Sequence, residues 1–207
     1  MKRQNGILRT PLNRIFYAPS HIAVLRALID SLEGMSGREV ARQAGINHQS
    51  CTQAISRLEE IGILQRLGTG KIHLIRLNRE NFLVKELLLP LLKKERMFFS
   101  KIKAEIKSQF SNNAISVIIF GSAARKEEQP ESDFDICIVV KNIKEKRKTQ
   151  SIIDNILLRS FITFGIKVSS FVFTLHEAKS RIKKKDPLFK SILSEGIFLT
   201  GKQLRDL

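Results

Sequence analysis

Residues 121–135 read Gly-Ser-Ala-Ala-Arg-Lys-Glu-Glu-Gln-Pro-Glu-Ser-Asp-Phe-Asp, and this stretch decides the fold of the C-terminal part of the chain. It lies between two short, mostly β-branched apolar runs, 115–120 and 134–140. Runs of this length and composition predict buried strands. The Gly-Ser step follows the first run directly, and such a turn can present backbone N–H groups to an anion.

Two carboxylates stand where the second run begins. Asp133 and Asp135 are two residues apart, a spacing that places both side chains on one face of a strand. Two carboxylates beside an anion-binding turn make a site for a divalent cation that holds phosphate groups. The combination of turn, arginine and paired aspartates therefore favours phosphoryl-transfer chemistry over the less specific interpretation of a hairpin loop with surface acids.

The motif resembles that of the nucleotidyltransferase superfamily that includes DNA polymerase beta, and most closely its minimal nucleotidyltransferase branch. The branch pattern is Gly-Ser-x-x-Arg-Gly, a spacer, and then Ser-Asp-x-Asp. One position departs from it, because Lys126 stands where the family usually has glycine. The resemblance implies a nucleotide-binding set and a pair of catalytic, metal-binding aspartates. By position these are Gly121, Ser122, Arg125 and Ser132 for the nucleotide, and Asp133 and Asp135 for metal and catalysis.

The same resemblance implies Mg²⁺ or Mn²⁺ as cofactor and ATP or another NTP as substrate or ligand. It also implies a third carboxylate on the next strand, and by position that residue is Ser169. Lys167 lies on the same predicted strand face and would oppose a nearby cation. Glu177 lies beyond the strand, and Glu131 lies in the loop. Nucleotide and metal binding are therefore expected, whereas catalysis is left open.

The composition indicates a folded, basic protein. The 207 residues are 43% hydrophobic and carry a net charge of +16, which favours a polyanionic partner, first of all nucleic acid. Cys51 and Cys137 each lie in an apolar pattern, which predicts small core residues rather than a disulfide scaffold or a zinc site. The N-terminus lacks a signal peptide pattern and no apolar run has membrane-spanning length. We therefore expect a cytoplasmic protein without membrane contact.

The N-terminal part predicts three helices followed by a hairpin. Apolar residues recur at helical spacing over 20–32, and Ser36 with Glu39 forms a capping-box pattern before a short second helix. Asn47 can cap a third helix that ends at Gly62. Two strand-like runs, 63–67 and 72–77, then flank a glycine-rich turn. This order resembles the winged helix-turn-helix domains of prokaryotic regulators over roughly residues 15–80.

The third predicted helix has an apolar stripe on one side and an almost acid-free polar side on the other. Such a polar side suits a helix that lies in the major groove of double-stranded DNA, and a role in protein contacts alone is the alternative. The candidate DNA-binding residues are His48, Gln49, Thr52, Gln53, Ser56 and Arg57 on the helix and Lys71 at the hairpin tip.

A leucine-rich segment, 82–112, connects the two parts and is predicted to be helical. Pro90 disfavours helix at Leu89, which predicts a kink or break there. The segment can pack within the chain or against a second copy in a homodimer, and both interpretations stay open. Beyond the motif, the patterns predict a helix over 151–164, a strand over 166–173 and a helix over 186–196 that Asp186 caps.

Together these patterns predict an α/β (α+β) protein with a winged helix-turn-helix domain at 1–81, a helical connector at 82–112 and a small mixed-sheet nucleotidyltransferase-fold domain at 113–207. Two functions stay open. The first is a DNA-binding protein that binds Mg-ATP and transfers a nucleoside monophosphate to a hydroxyl acceptor. The resemblance implies a protein acceptor, a HEPN-type toxin to which this chain would be the antitoxin. The second is a non-enzymatic transcription regulator whose degenerate second domain senses a nucleotide or mediates contacts.

Overall fold

The computed structural model describes residues 8–68, 73–110 and 114–206. The chain forms two compact units, of which the first ends at Met97 and the second begins at Phe98. This division falls inside the segment that the sequence assigns to a connector. The mixed α/β class is confirmed, because both units combine helices with a small sheet.

The first unit starts with helices and continues into a small antiparallel sheet of strand order β1-β3-β2. The predicted third helix is present as α4, which begins where the Asn47 side chain accepts a hydrogen bond of 2.8 Å from the Ser50 N–H. The tip of the predicted hairpin, including Lys71, lies outside the described residues. The elements in order are α1 (Leu12–Ile15), α2 (Pro19–Leu28), β1 (Met35–Ser36), α3 (Gly37–Ala44), α4 (His48–Glu60), β2 (Leu64–Leu67) and β3 (Leu74–Leu77).

The leucine-rich segment contributes its first half to the core of this unit. Val84, Leu88 and Leu92 are buried in the same cluster as the helices α2 and α4, so this face packs within the chain. A π-helical turn covers Val84–Leu88, and α5 (Leu89–Arg96) follows directly. The expected break at Leu89 is therefore a change of helix type, in which the Leu89 N–H donates to the Val84 carbonyl five residues back.

The second unit is built on a four-stranded mixed sheet of order β6-β5-β4-β7, in which β5 and β6 are parallel and the other neighbours antiparallel. The predicted strands and the predicted last helix are confirmed. The elements are α6 (Phe98–Phe110), β4 (Ser116–Phe120), α7 (Ser122–Arg125), β5 (Phe134–Val140), α8 (Ile143–Phe164), β6 (Val168–Thr174), α9 (Leu175–Lys183), α10 (Pro187–Glu195), β7 (Ile197–Gly201) and a 3-10 turn (Leu204–Asp206).

Helices cover both faces of this sheet, which is why β5 is an almost uninterrupted apolar run. α6 and α8 pack on one face, and α9 and α10 pack on the other. α8 starts eight residues earlier than the amphipathic pattern predicts, because the Asn142 side chain caps it by accepting from the Glu145 N–H. The last strand, β7, has no counterpart among the predicted elements.

Both cysteines are buried, as predicted. Burial raises the pKa of the Cys137 thiol to about 12, so this residue is a protonated core side chain. In the described part of the chain, no helix is both long enough and apolar enough to span a bilayer.

Candidate nucleotidyltransferase site

One row of residues across the second sheet organises the site. Asp135, near the start of β5, pairs with Phe120 on β4 and with Ser169 on β6. Because side chains alternate along a strand, Asp135 points to the face that carries α9 and α10, the same face as Cys137. Asp133 comes two residues earlier, just before the strand begins, and is exposed. The two aspartates therefore lie together at one end of the sheet.

The turn after β4 lies directly against Asp135. Gly121 has φ 71° and ψ −152°, a backbone conformation that only glycine adopts readily. A β-carbon built on Gly121 would lie 2.4 Å from the Asp135 Oδ2. The backbone of the turn thus approaches the carboxylate more closely than any side-chain-bearing residue would allow. The helix α7 that follows is a single turn, so the site offers backbone N–H groups of a tight turn rather than the end of a long helix.

The surroundings of Asp135 favour its protonated form. Burial is the main cause that raises the pKa of this carboxyl, and the neighbouring charge of Asp133 raises it further. The Ser169 hydroxyl and the positive charge of Arg125 oppose the rise. A cation bound between the two aspartates would offset their mutual repulsion.

Ser132 holds the loop that leads into the aspartates. Its Oγ accepts from the Gln129 N–H at 2.9 Å, and its own N–H donates to the Gln129 carbonyl at 2.9 Å. These two bonds close the turn immediately before Asp133. Ser132 therefore fixes the loop, and its assignment as a nucleotide contact stays a prediction.

This geometry agrees with comparisons with known proteins. Residues 99–194 match the model of the family described as Nucleotidyltransferase domain. The matched residues lie within the second unit. A proposed protein adenylyltransferase of Methanocaldococcus jannaschii is 29% identical over 89 residues, which cover 42% of this chain and 59% of that relative. The chain thus spans well under two thirds of the curated relative's length, and the match supports nucleotidyl transfer in general.

The arginine of the nucleotidyltransferase motif is engaged by two carboxylates. The Arg125 Nε lies 2.8 Å from Glu127, and its Nη1 lies 2.8 Å from Glu195. Glu195 is the last residue of α10, so its ion pair with Arg125 connects α10 to the turn of the motif, and the Ser191 hydroxyl on the same helix donates a hydrogen bond to Glu195. No local pattern in the sequence indicates a role for Glu195, since its pair with Arg125 spans 70 residues.

The departure at Lys126 has a visible consequence. This residue closes α7 with φ 60° and ψ 37°, in the left-handed region. Glycine adopts this conformation without steric cost, whereas the β-carbon of a lysine is crowded there. The family pattern usually has glycine at this position, and glycine adopts the left-handed conformation without strain. Lys126 adopts the same conformation with steric strain, which lowers the stability of the folded state.

The oxygen donors of the site fit one divalent cation better than a pair. Asp133 and Asp135 supply carboxylate oxygens of the type that Mg²⁺ prefers. The place of the third carboxylate is occupied by Ser169, as the sequence analysis predicts, and its pairing with Asp135 puts it directly beside the site. No group of three potential metal-binding side chains (His, Cys, Asp or Glu) forms within residues 8–68, 73–110 and 114–206.

Neither nearby glutamate replaces the missing carboxylate. The Glu177 side chain forms a capping box with Thr174 at the start of α9 and pairs with Lys146 at 3.0 Å. The Thr174 N–H, followed by Lys146, lowers the pKa of this carboxyl. Glu131 is exposed in the loop. Glu177 is therefore a structural residue of α9.

The candidate DNA-binding residues of the first unit share the outer side of α4. Cys51, Ala54, Ile55 and Leu58 are buried on its inner side. The Arg57 guanidinium lies 5.2 Å from the centre of the Tyr17 ring, a cation–π contact that orients it. The six candidate residues on the helix, none of them buried, are His48, Gln49, Thr52, Gln53, Ser56 and Arg57.

Proposed function

We propose that the second unit binds a Mg²⁺–nucleoside triphosphate, with ATP as the first choice, and transfers the nucleoside monophosphate to a hydroxyl group of a partner protein. The observation that carries this proposal is the packing of Gly121 against Asp135 beside Asp133. It combines a backbone turn that can face phosphates with carboxylates that can hold a cation. The similarity to a proposed protein adenylyltransferase supports a protein as acceptor.

The residues of this site have separable roles in the proposal. Asp133 and Asp135 hold the cation, which supplies charge neutralisation for the phosphates. The Gly121–Ser122 turn offers N–H donors to phosphate oxygens. In the transfer the acceptor oxygen bonds to the α-phosphorus, the bond to pyrophosphate breaks, and the acceptor proton passes to solvent. Ser169 adds no negative charge, so we propose that the transfer is slow.

The test is incubation of the full chain with ATP labelled on the α-phosphate, with and without Mg²⁺, alone and with cell extract. Label that becomes protein-bound only with Mg²⁺, and is lost in Asp133→Asn/Asp135→Asn, supports transfer. Calorimetry on the same proteins reports nucleotide binding. ATP binding in calorimetry, without any transfer of label to protein, supports the alternative of a nucleotide sensor. Equal ATP affinity with and without both aspartates would overturn both functions.

We further propose that the first unit is a winged helix-turn-helix domain that binds double-stranded DNA. The polar outer side of α4 supports it, as does the basic excess of residues 1–81, which hold 12 Lys and Arg against 6 Asp and Glu. The resemblance of the motif to minimal nucleotidyltransferases supports a HEPN-type protein as the first acceptor to test, with this chain as its antitoxin, and the resemblance of the first unit to winged helix-turn-helix domains supports a homodimer on DNA. Label on a co-purified HEPN-type protein, but not on a bystander protein, is the result expected.

A further inference from the structure

A groove on the second unit is not used by the proposed nucleotide site. It lies between α9, α10 and the final 3-10 turn and has a volume of about 420 Å³. Three aliphatic and three cationic side chains share its lining, which consists of Lys179, Ile182, Lys183, Leu193, Leu204 and Arg205. An apolar floor with cations at its edge differs from the aspartate-rich nucleotide site in both charge and hydropathy.

The cations of the groove are available to a ligand. Lys179 and Lys183 are four residues apart on α9, so they lie on the same side of that helix, and both are exposed. Among the residues that the structure describes, no carboxylate pairs with either lysine. The Arg205 Nη2 donates to the Leu193 carbonyl at 2.9 Å, which holds the guanidinium over α10.

We propose that this groove docks an acidic, aliphatic segment of a partner protein. Aliphatic side chains of the segment would contact Ile182 and Leu193, while its carboxylates would pair with Lys179, Lys183 and Arg205. Pairing with a partner's carboxylates would neutralise cations that the chain leaves uncompensated, and burial of aliphatic groups adds affinity that charge alone does not supply.

Two other occupants fit the groove less well. Its lining contains no aromatic side chain, so it lacks the stacking surface on which proteins hold single-stranded bases. A second copy of this chain carries a net charge of +16, so its approach to a basic groove is opposed by charge repulsion. A partner with acidic and aliphatic residues meets both requirements of the lining.

The groove and the nucleotide site share one helix. Leu193 lines the groove, and Glu195, two residues further along α10, binds Arg125 of the motif turn. A docked segment would therefore rest on the helix that also contacts the nucleotidyltransferase motif. The docking itself does not depend on nucleotide transfer and is tested without nucleotide.

The test uses the full-length chain and displayed peptides of random sequence. Peptides are selected on the native chain, and an enriched peptide is labelled and titrated by fluorescence anisotropy against the native chain and against Lys179→Glu/Lys183→Glu. The matched control is Lys141→Glu/Lys144→Glu, which makes the same charge change at exposed lysines outside the groove. Leu193→Gln tests the apolar floor, and thermal melts verify that each variant is folded.

The expected result is enrichment of peptides that combine Asp or Glu with Leu, Ile or Val. The groove variant should weaken their binding by about tenfold or more, and Leu193→Gln should weaken it as well, while the control pair changes it little. Equal loss in both charge variants would overturn the proposal, because binding would then follow net charge alone. Absence of such peptides, preferential binding of a single-stranded oligonucleotide in the groove, or self-association abolished by the groove variant would overturn it too.

Discussion

Gly121 lies so close to Asp135 that a β-carbon at position 121 would come within 2.4 Å of the Asp135 Oδ2. The two residues are 14 positions apart, and the pairing of β4 with β5 brings them together. Position 121 therefore requires glycine for two reasons. The turn has a positive φ, and the Asp135 carboxylate leaves no space for a β-carbon. The architecture of the site depends on this contact more than on any other single pair.

Gly121→Ala should abolish Mg²⁺-dependent nucleotide binding and destabilise the second unit. The new methyl group must displace Asp135, and the backbone conformation adds strain of about 1–3 kcal/mol. Gly165→Ala is the matched control, because Gly165 has φ 68° and a β-carbon added there would meet nothing within 4 Å. Denaturant unfolding and calorimetry on both variants measure the two effects. Retained nucleotide affinity in Gly121→Ala would show that the turn does not contribute to the site.

Ser169→Asp should create a stronger response to Mg²⁺. The added carboxylate would stand opposite Asp135 and would raise the affinity for a cation while destabilising the metal-free domain by repulsion. A tenfold excess of Mg²⁺ over its Kd stabilises by about 1.4 kcal/mol, or roughly 3–5 °C in Tm. Ser170→Asp is the control, because Ser170 pairs with Ile136 and points to the opposite face. If the melting temperature of Ser169→Asp responds to Mg²⁺ no more than the parent's, residue 169 does not contact the metal.

Lys126→Gly should stabilise the second unit slightly. Relief of the left-handed conformation at φ 60° outweighs the greater flexibility of glycine in the unfolded chain, with a net gain of about 0.5 kcal/mol. Lys184→Gly is the control, since Lys184 ends α9 with φ −79° and gains no relief. The denaturation midpoint should rise in Lys126→Gly and fall in Lys184→Gly. A lower midpoint in Lys126→Gly would show that the backbone of Lys126 is not strained.

Glu177→Gln should reduce stability at neutral pH but not in acid. The Thr174 N–H and Lys146 lower the pKa of Glu177 in the folded state. A carboxyl with a lowered pKa contributes stability above its unfolded pKa and loses it as the pH falls through the folded value. The difference in Tm between parent and variant should therefore shrink as the pH falls below the unfolded value of about 4.3 and disappear once the pH lies below the lowered folded pKa. Glu128→Gln, in an exposed loop, is the control, and a constant difference at every pH would refute the charge-based origin.

Gln53→Ala and Arg57→Ala should relax the sequence preference of DNA binding. Side chains that read base edges from α4 supply about 1–3 kcal/mol of discrimination each. Lys71→Ala should instead weaken binding to all sequences. It should also reduce the slope of the logarithm of the binding constant against the logarithm of the salt concentration by about one. The assay is anisotropy with specific and random duplexes over a range of salt concentrations. Lys93→Ala, at an exposed lysine of α5, is the control, and the absence of duplex affinity at low salt would eliminate the DNA-binding function.

Local patterns were sufficient for the motif and for most elements of the second unit. The buried runs around residues 121–135, the Asn47 and Asp186 caps and the glycine stop at Gly165 depend on neighbouring residues, so their signals are present in the sequence. The position of Ser169 beside Asp135 was predictable as well, because the resemblance to the nucleotidyltransferase superfamily implies which strand lies next to the aspartates.

Contacts between distant segments were decided only by the tertiary structure. Strand β7 is stabilised by pairing with β4, and a five-residue strand with glycine at its end carries little signal of its own. The engagement of Arg125 by Glu195 and the pairing of Lys146 with Glu177 likewise join groups that are 70 and 31 residues apart, whose proximity no local spacing encodes. The free energy of such contacts depends on burial and distance in space, and these exist only once the sheet and its helices have assembled.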